Sequence, residues 1–301
     1  MRTGALVAER ASASDWIALL KPRIALMVAL SAFVGGLLAA GPGADLVRVV
    51  EAAVWITLTA GAASVFNQVI ERDTDRLMVR TANRPLPAGR IATRDAIFYG
   101  TGLAVASIAA LAWRFGLLAA LLALATLFAY AAVYTPLKRV STLNTVVGAI
   151  PGAAPPLLGY VALAGGTGRW AWALFAVVFV WQFPHFMAIA WLHRADYARA
   201  GMQMLPALPG CEKVAARTGL VHALVLLPVV LLPGAWGDAG VVYTLGAFAL
   251  TLLYVAAAAR FAWREDAPSA RLVLFASLVH LPLVLALVLL DPVVGVGILS
   301  R

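Results

Sequence analysis

Residues 52–76 read AAVWITLTAGAASVFNQVIERDTDR. Nineteen positions without a charge are followed by three acids within five residues, Glu71, Asp73 and Asp75. An apolar run of that length is what a bilayer-crossing helix needs, and the acids mark the point where it leaves the lipid. The same alternation repeats along the chain. Apolar runs broken by polar or Gly/Pro punctuation fall at 24–41, 52–70, 96–113, 116–135, 144–164, 170–192, 218–236, 240–259 and 272–290. The expected fold is therefore all-α: a polytopic membrane protein with nine transmembrane helices. No linker or low-complexity tract divides residues 1–301, which read as one domain.

Composition agrees. The chain is 63% hydrophobic and 12% charged, with a mean hydropathy of +0.91, whereas soluble domains hold about 45–50% apolar and about 25% charged residues. The surplus apolar surface needs the lipid bilayer as its solvent. The single cysteine, Cys211, excludes an internal disulfide framework and any multi-cysteine zinc or iron–sulfur site. The first fourteen residues contain Glu9 and no long apolar core, so they read as neither a signal peptide nor an Arg-rich transit peptide.

A formal charge of +9 points to topology and not to nucleic acid, because the cations sort by loop. With a cytoplasmic N-terminus, the inner segments hold Arg2, Arg10, Lys21 and Arg23, then Arg72, Arg76, Arg80, Arg84, Arg90 and Arg94 after span two. Lys138 and Arg139 follow span four, Arg194, Arg199, Lys213 and Arg217 follow span six, and Arg260, Arg264 and Arg271 follow span eight. Only Arg48, Arg114, Arg169 and Arg301 remain outside. Such an excess is the positive-inside pattern of a cell inner-membrane protein. The inner loops after spans two and six are also the longest, so a site built from polar sequence should face the cytoplasm.

Asn67, Glu71 and Asp75 are spaced i, i+4, i+8 and share one helix face. Asp73 points to roughly the opposite side at about 100° per residue. Like charges four apart repel, and a cation between them relieves the repulsion. Oxygen ligands of this kind suit Mg²⁺, which takes one or two carboxylates together with substrate phosphates. The plainer alternative is a solvated helix end with its acids paired to Arg72, Arg76 and Arg80. Asn67, one turn deeper, favours the metal, since a buried amide needs a partner. Pro85 and Pro87 end any helix and leave Arg80 and Arg84 beside the acids. These and the pair Lys138 and Arg139 are candidate diphosphate ligands, arginine reading phosphate in bidentate fashion. Lys21 and Arg23, flanking Pro22, make a further pair that equally fits snorkelling cations at a helix mouth.

On span six, His185 and Asp196 stand eleven residues apart, about three turns and about 16 Å along a helix, and nearly eclipsed. His193 lies between them in height. Ionisable groups inside a span are functional candidates by default, and histidine is a common haem-iron ligand. The alternative is a His185 satisfied by a neighbouring backbone carbonyl, one that Pro184 frees. His222 and His280 read as structural. The segment Gly201-Met202-Gln203-Met204-Leu205-Pro206 reads as a loop closing over the mouth, and Gly148, Pro151, Gly152, Pro155, Pro156 and Gly159 make span five irregular, either lining a cavity or packing closely.

Taken together, these residues resemble the UbiA superfamily of intramembrane prenyltransferases, in its protohaem-farnesylating branch. The resemblance runs through Lys21-Pro22-Arg23, Asn67-Gln68-Val69-Ile70-Glu71-Arg72-Asp73-Thr74-Asp75, Arg80-Thr81 and Arg84-Pro85-Leu86. It continues through Tyr134-Thr135-Pro136-Leu137-Lys138-Arg139, Pro155-Pro156-Leu157, Trp181-Gln182-Phe183-Pro184-His185-Phe186, Asp196-Tyr197 and Leu205-Pro206. It implies nine helices around a central cavity, and Mg²⁺ held on an isoprenyl diphosphate by two acidic motifs. Asn67, Glu71 and Asp75 match the first motif. The second motif has two aspartates four residues apart, and Leu192 and Asp196 stand at those positions, so Asp196 alone supplies a carboxylate.

The resemblance further implies transfer of a farnesyl group from farnesyl diphosphate to a vinyl group of haem b, with hydration. His185 and His193 become candidate haem contacts, and a haem A synthase or oxidase-assembly factor a candidate partner. Two other readings stay open: a UbiA-type enzyme acting on an aromatic quinone precursor, and a transporter or haem-handling membrane protein. Transporters place broken helices and charges near the midplane, whereas here the acids and cations gather at the inner ends of spans two, four and six.

Overall fold

The computed structural model describes residues 11–294. Arg2, Arg10 and Arg301 of the loop-charge tally lie outside them, as does the start of the N-terminal segment. Among the described residues nine helices are long and apolar enough to cross a membrane. They are α1 Pro22–Ala40, α2 Leu46–Ile70, α3 Thr93–Phe115, α4 Leu117–Leu137, α5 Asn144–Ala164, α6 Arg169–Leu192, α7 Glu212–Ala235, α8 Val241–Arg264 and α9 Ala267–Leu290. Each expected span falls on one helix.

Three helices start earlier than hydropathy alone indicates, because polar first turns carry them past the apolar run. The Asp45 carboxylate accepts from the Val47 and Arg48 amides at 3.0 and 3.2 Å and caps α2. Asp266 does the same for α9 through the Ser269 amide at 2.9 Å. Glu212 opens α7, where an acid complements the helix dipole.

Neighbouring helices are antiparallel, so the starts of odd-numbered helices and the ends of even-numbered ones share one face. Lys21 before α1 reaches Asn67 near the end of α2 at 3.0 Å. At the opposite face Arg114, ending α3, forms a two-pronged bond with Glu51 near the start of α2 at 2.8 and 2.9 Å. The long connections, residues 71–92 and 193–211, lie on the Lys21 face. Trp113 and Trp263 end their helices on opposite faces, 85% and 88% exposed, and tryptophans at both ends match the aromatic belts of membrane interfaces.

Before α1 a short helix, Ala13–Leu19, is closed by a capping box between Ser12 and Asp15. Its Leu19 carbonyl accepts from Ser64 and Gln68 of α2 at 3.0 and 2.7 Å. The chain then turns through Lys21 at φ +51° and enters α1 at Pro22, whose ring suits the first helical position. α5 stays helical despite Pro151, Pro155 and Pro156. Both expectations for it hold: Gly148, Pro151, Gly152 and Pro155 line a cavity, while Gly159 and Pro156 pack on the backbone of α1.

Asp291, just past α9, is buried. Its carboxylate accepts from the Gly240, Tyr243 and Val293 amides at 2.9, 2.8 and 2.9 Å, capping α8 from a neighbouring helix. Burial pushes its pKa up, but these amides prevail and hold it below 3.8. The stabilisation is therefore present above the ordinary carboxylate range and lost as pH falls through the lower folded value. Asp291→Asn turns an amide N–H toward a backbone N–H and should cost about 2 kcal/mol. Thermal melts in detergent check this: the variant melts earlier at pH 7, and the gap to wild type narrows in acid.

Candidate active site

The two carboxylates of the acidic stripe are each paired with a cation from another part of the chain. α2 ends at Ile70, Glu71 follows, and Arg72–Asp75 forms one further turn. The Glu71 amide still bonds the Asn67 carbonyl at 2.9 Å, and the Asp75 amide the Glu71 carbonyl at 2.7 Å, so the i, i+4, i+8 alignment survives the junction. Asn67, Glu71 and Asp75 are 1%, 5% and 1% exposed. Asp73, off the stripe, is solvated and paired with Arg72 and Arg76 at 3.1 and 3.5 Å.

Lys138 at the end of α4 sits 2.8 Å from Glu71, and its ammonium lies over the Tyr134 ring at 4.5 Å. Arg84 donates to Asp75 at 2.8 Å. Asn67 accepts from Lys21 at 3.0 Å and donates to Thr135 at 3.1 Å, so a buried amide finds partners on both sides. Arg139 reaches the Thr74 hydroxyl at 3.4 Å. Burial pushes the Lys21 ammonium down to about 7, with Lys138 and Arg84 repelling it and Glu71 and Asp75 opposing. Burial also pushes Lys138 down, but Tyr134, Glu71 and Tyr130 prevail and hold it well above the ordinary lysine range.

Glu71 and Asp75 differ in what their buried oxygens meet. Glu71 Oε1 is ion-paired to Lys138 at 2.8 Å, whereas Asp75 Oδ1 is buried without a hydrogen-bond partner, a costly state for an acceptor. Together with the Asn67 amide the two carboxylates offer oxygen atoms to a divalent cation, which needs only one or two protein carboxylates when a diphosphate supplies the rest. Among the described residues no three His, Cys, Asp or Glu side chains converge on one metal position.

Beside this cluster lies a cavity of about 390 Å³ among α1, α2, α4, α5, α6 and α9. Lys21, Tyr130 and Tyr134 line it next to the acids, and Trp181, Gln182, His185 and Phe186 line the α6 wall. Tyr130 and Tyr134 belong to a π-helical segment, Ala129–Tyr134, within α4; such bulges re-aim side chains at functional sites. The Gln182 amide donates to the Ala149 carbonyl at 2.9 Å, tying α6 to α5.

The expected stripe along span six changes. α6 ends at Leu192, His193 takes a non-helical φ of −109°, and a separate helix, Arg194–Arg199, follows. His185 and Asp196 are thus not on one continuous helix, because the chain turns at His193 to cross the mouth. Asp196 pairs with Arg199 at 3.0 Å. His193, near Arg80, has its pKa lowered by burial and then by that arginine. Arg80 itself lies at Tyr197, with its Nη2 3.2 Å from the hydroxyl. His185 bonds the Ser277 hydroxyl at 2.7 Å and not a carbonyl freed by Pro184.

The methionine segment does cover this end of the molecule. The Gln203 amide donates to the Lys138 carbonyl at 2.7 Å, and Asn144 donates to the Gln203 carbonyl at 2.8 Å. Met202 and Met204 bury against Met78 and Ala190.

The sequence pattern gives Lys21 and Tyr134 no individual role and does not mark Tyr130 or Ser277.

A buried acid–cation cluster beside an apolar cavity can neutralise a charged head group while the cavity takes an apolar tail. The model of the UbiA prenyltransferase family matches residues 28–279. The protoheme IX farnesyltransferase of Solibacter usitatus is 41% identical over 287 residues, covering 92% of this chain and 98% of that one. That of Opitutus terrae is 39% identical over 287 residues, covering 94% and 96%. In fold, the chain is similar to a UbiA homologue from Archaeoglobus fulgidus bound to GPP and Mg²⁺, at a TM-score of 0.66 and 19% identity over 93% of this chain and 99% of that one. The chain is a multi-pass membrane protein and belongs to the UbiA prenyltransferase family.

Proposed function

We propose that the chain joins the farnesyl group of farnesyl diphosphate to a vinyl group of haem b and adds water, giving haem O. The likeness over nearly its whole length to relatives named protoheme IX farnesyltransferase carries this reading. The family match supports the prenyl-transfer half independently.

In this reading Asn67, Glu71 and Asp75 would hold Mg²⁺ on the diphosphate, with Asp196 of the Arg194–Arg199 helix, here paired with Arg199, as the further carboxylate. The unpartnered buried oxygen of Asp75 is the observation that fits a cation here. When bound, the ion neutralises charge that builds on the leaving diphosphate. Lys138, Arg139, Arg80 and Arg84 bind the diphosphate oxygens, a fixed array of donors where negative charge develops. The C1–O bond of the farnesyl chain breaks, its electron pair leaving with the diphosphate. The aromatic and aliphatic wall of the cavity keeps water from the allylic cation. The terminal vinyl carbon of haem b attacks C1, and water adds at the carbon next to the ring and loses a proton. His185 contacts the porphyrin from the cavity wall, and His193 does so from the mouth.

The N-terminus and the acidic face lie in the cytoplasm of a cell with the chain in its inner membrane, in keeping with the cation count. The product then passes to a haem A synthase or an oxidase-assembly factor.

The decisive assay incubates the purified protein in liposomes with haem b, farnesyl diphosphate and Mg²⁺ and measures the mass of haem O. EDTA should abolish the product and Mg²⁺ should restore it. Diphosphate release only with a phenolic acceptor would move the acceptor to an aromatic quinone precursor. Product that persists in EDTA would sink the metal assignment.

A further inference from the structure

Polar groups on α6, α8 and α9 form a chain behind the cavity wall that the steps above leave unused. Ser277 of α9 is fully buried. Its hydroxyl donates to the Leu274 carbonyl at 2.6 Å, and its oxygen lies 2.7 Å from His185 Nδ1. A hydroxyl carries one proton. With that proton directed to Leu274, Ser277 can meet His185 only as an acceptor, which calls for the His185 hydrogen on Nδ1. Nε2 is then left with its lone pair, and no hydrogen bond to it forms among the described residues.

The ring is also braced. It stacks on Trp181 with centroids 5.2 Å apart at 19°. Trp181 is pinned in turn: its indole N–H donates to the Ser277 carbonyl at 3.1 Å, and its carbonyl accepts from the Tyr254 hydroxyl at 3.1 Å. His185 and Trp181 both line the cavity.

We propose that Ser277 is a positioning residue: it takes the Nδ1 hydrogen of His185 and so offers the Nε2 lone pair to the iron of the porphyrin acceptor. The iron-binding half rests on the haem reading above. An imidazole that ligates a metal through one nitrogen is oriented and tuned by the hydrogen bond at the other. A neutral serine oxygen pulls on that hydrogen less than a carboxylate would. The imidazole therefore stays a modest donor, which suits a haem that must leave as product.

The test has two readouts. Protein labelled with ¹⁵N-histidine and free of haem is examined by NMR; there are four histidines, and His185→Asn identifies the resonance. Wild type should show hydrogen on Nδ1. Ser277→Ala and Ser277→Cys should both move population to the Nε2–H form, the second keeping the side chain's shape while accepting poorly. Ferric haem b is then titrated and followed by its Soret band and electron paramagnetic resonance. Nitrogen ligation should appear in wild type, vanish in His185→Asn and weaken about tenfold in both serine variants.

A serine that only fills space would leave Ser277→Cys like wild type in both measurements, and that result overturns the proposal. A wild-type ring with hydrogen on Nε2 overturns it too, even if the enzyme makes haem O. If wild type shows Nδ1–H yet neither ligates haem nor makes haem O, the acceptor reading fails and the iron-binding half falls with it. The NMR readout needs no haem, so the two failures are told apart.

Discussion

Glu71→Gln should abolish turnover and leave the fold intact, whereas Asp73→Asn, two residues away, should leave both turnover and fold unchanged. Both changes remove one formal charge from the same turn. They differ in where the charge stands. Glu71 is 5% exposed, aligned with Asn67 and Asp75 and ion-paired to Lys138, while Asp73 is solvated and bonded to Arg72 and Arg76. Removing a buried carboxylate that helps neutralise a leaving diphosphate should cost about 4 kcal/mol of barrier, about a thousandfold in rate. Gln is close in shape to Glu, and its carbonyl oxygen still accepts from Lys138, so the helix end stays packed. Haem O formation and a thermal melt, measured on both variants side by side, decide the matter. Wild-type turnover in Glu71→Gln, or an equal loss in Asp73→Asn, would falsify the role given to the stripe.

The contrast between Glu71 and Asp73 was legible before any coordinates, because it follows from helical spacing at a membrane exit. All nine spans were legible for a related reason: lipid forces each crossing to be one long uncharged run, and such runs stand out from loops that carry nearly all the cations. What stayed hidden depends on where the chain bends. Leu192-His193-Arg194 contains neither proline nor glycine, so the turn at His193 that separates His185 from Asp196 left no local mark. The π-helical segment at Ala129–Tyr134 is equally silent in a row of small and aromatic residues. Which helices wall the cavity is a property of packing between elements, and Ser277 is chemically inconspicuous until α9 sets it against His185. The irregularity of span five was legible in kind. Its division of labour, with one set of residues on the cavity and another on α1, was not.

That division gives the second large effect, a loss of folded protein in Gly159→Val. α1 and α5 meet backbone to backbone. A Cβ built on Gly159 would stand 2.7 Å from the Ala32 carbonyl carbon and closer still to its oxygen. Reciprocally, a Cβ on Gly35 would meet the Pro156 carbonyl, at 2.7 Å from its carbon. Both obstacles are main chain and cannot rotate away, so the helices must separate. In lipid, helices associate by close packing of small residues and not by hydrophobic expulsion, and a forced gap removes that attraction along the pair. Overpacking of this kind costs about 3 kcal/mol, and here the separation also opens the cavity wall formed by α1 and α5. Gly102, exposed on α3 with open space where its Cβ would go, is the matched control. Gly102→Ala should be neutral or stabilise by about 0.5 kcal/mol through helix propensity. Size-exclusion profiles and melting temperatures in one detergent compare the three proteins. A Gly159→Val variant as monodisperse and as stable as Gly102→Ala would mean that α1 and α5 do not approach this closely in the membrane, and the cavity they enclose would have to be redrawn.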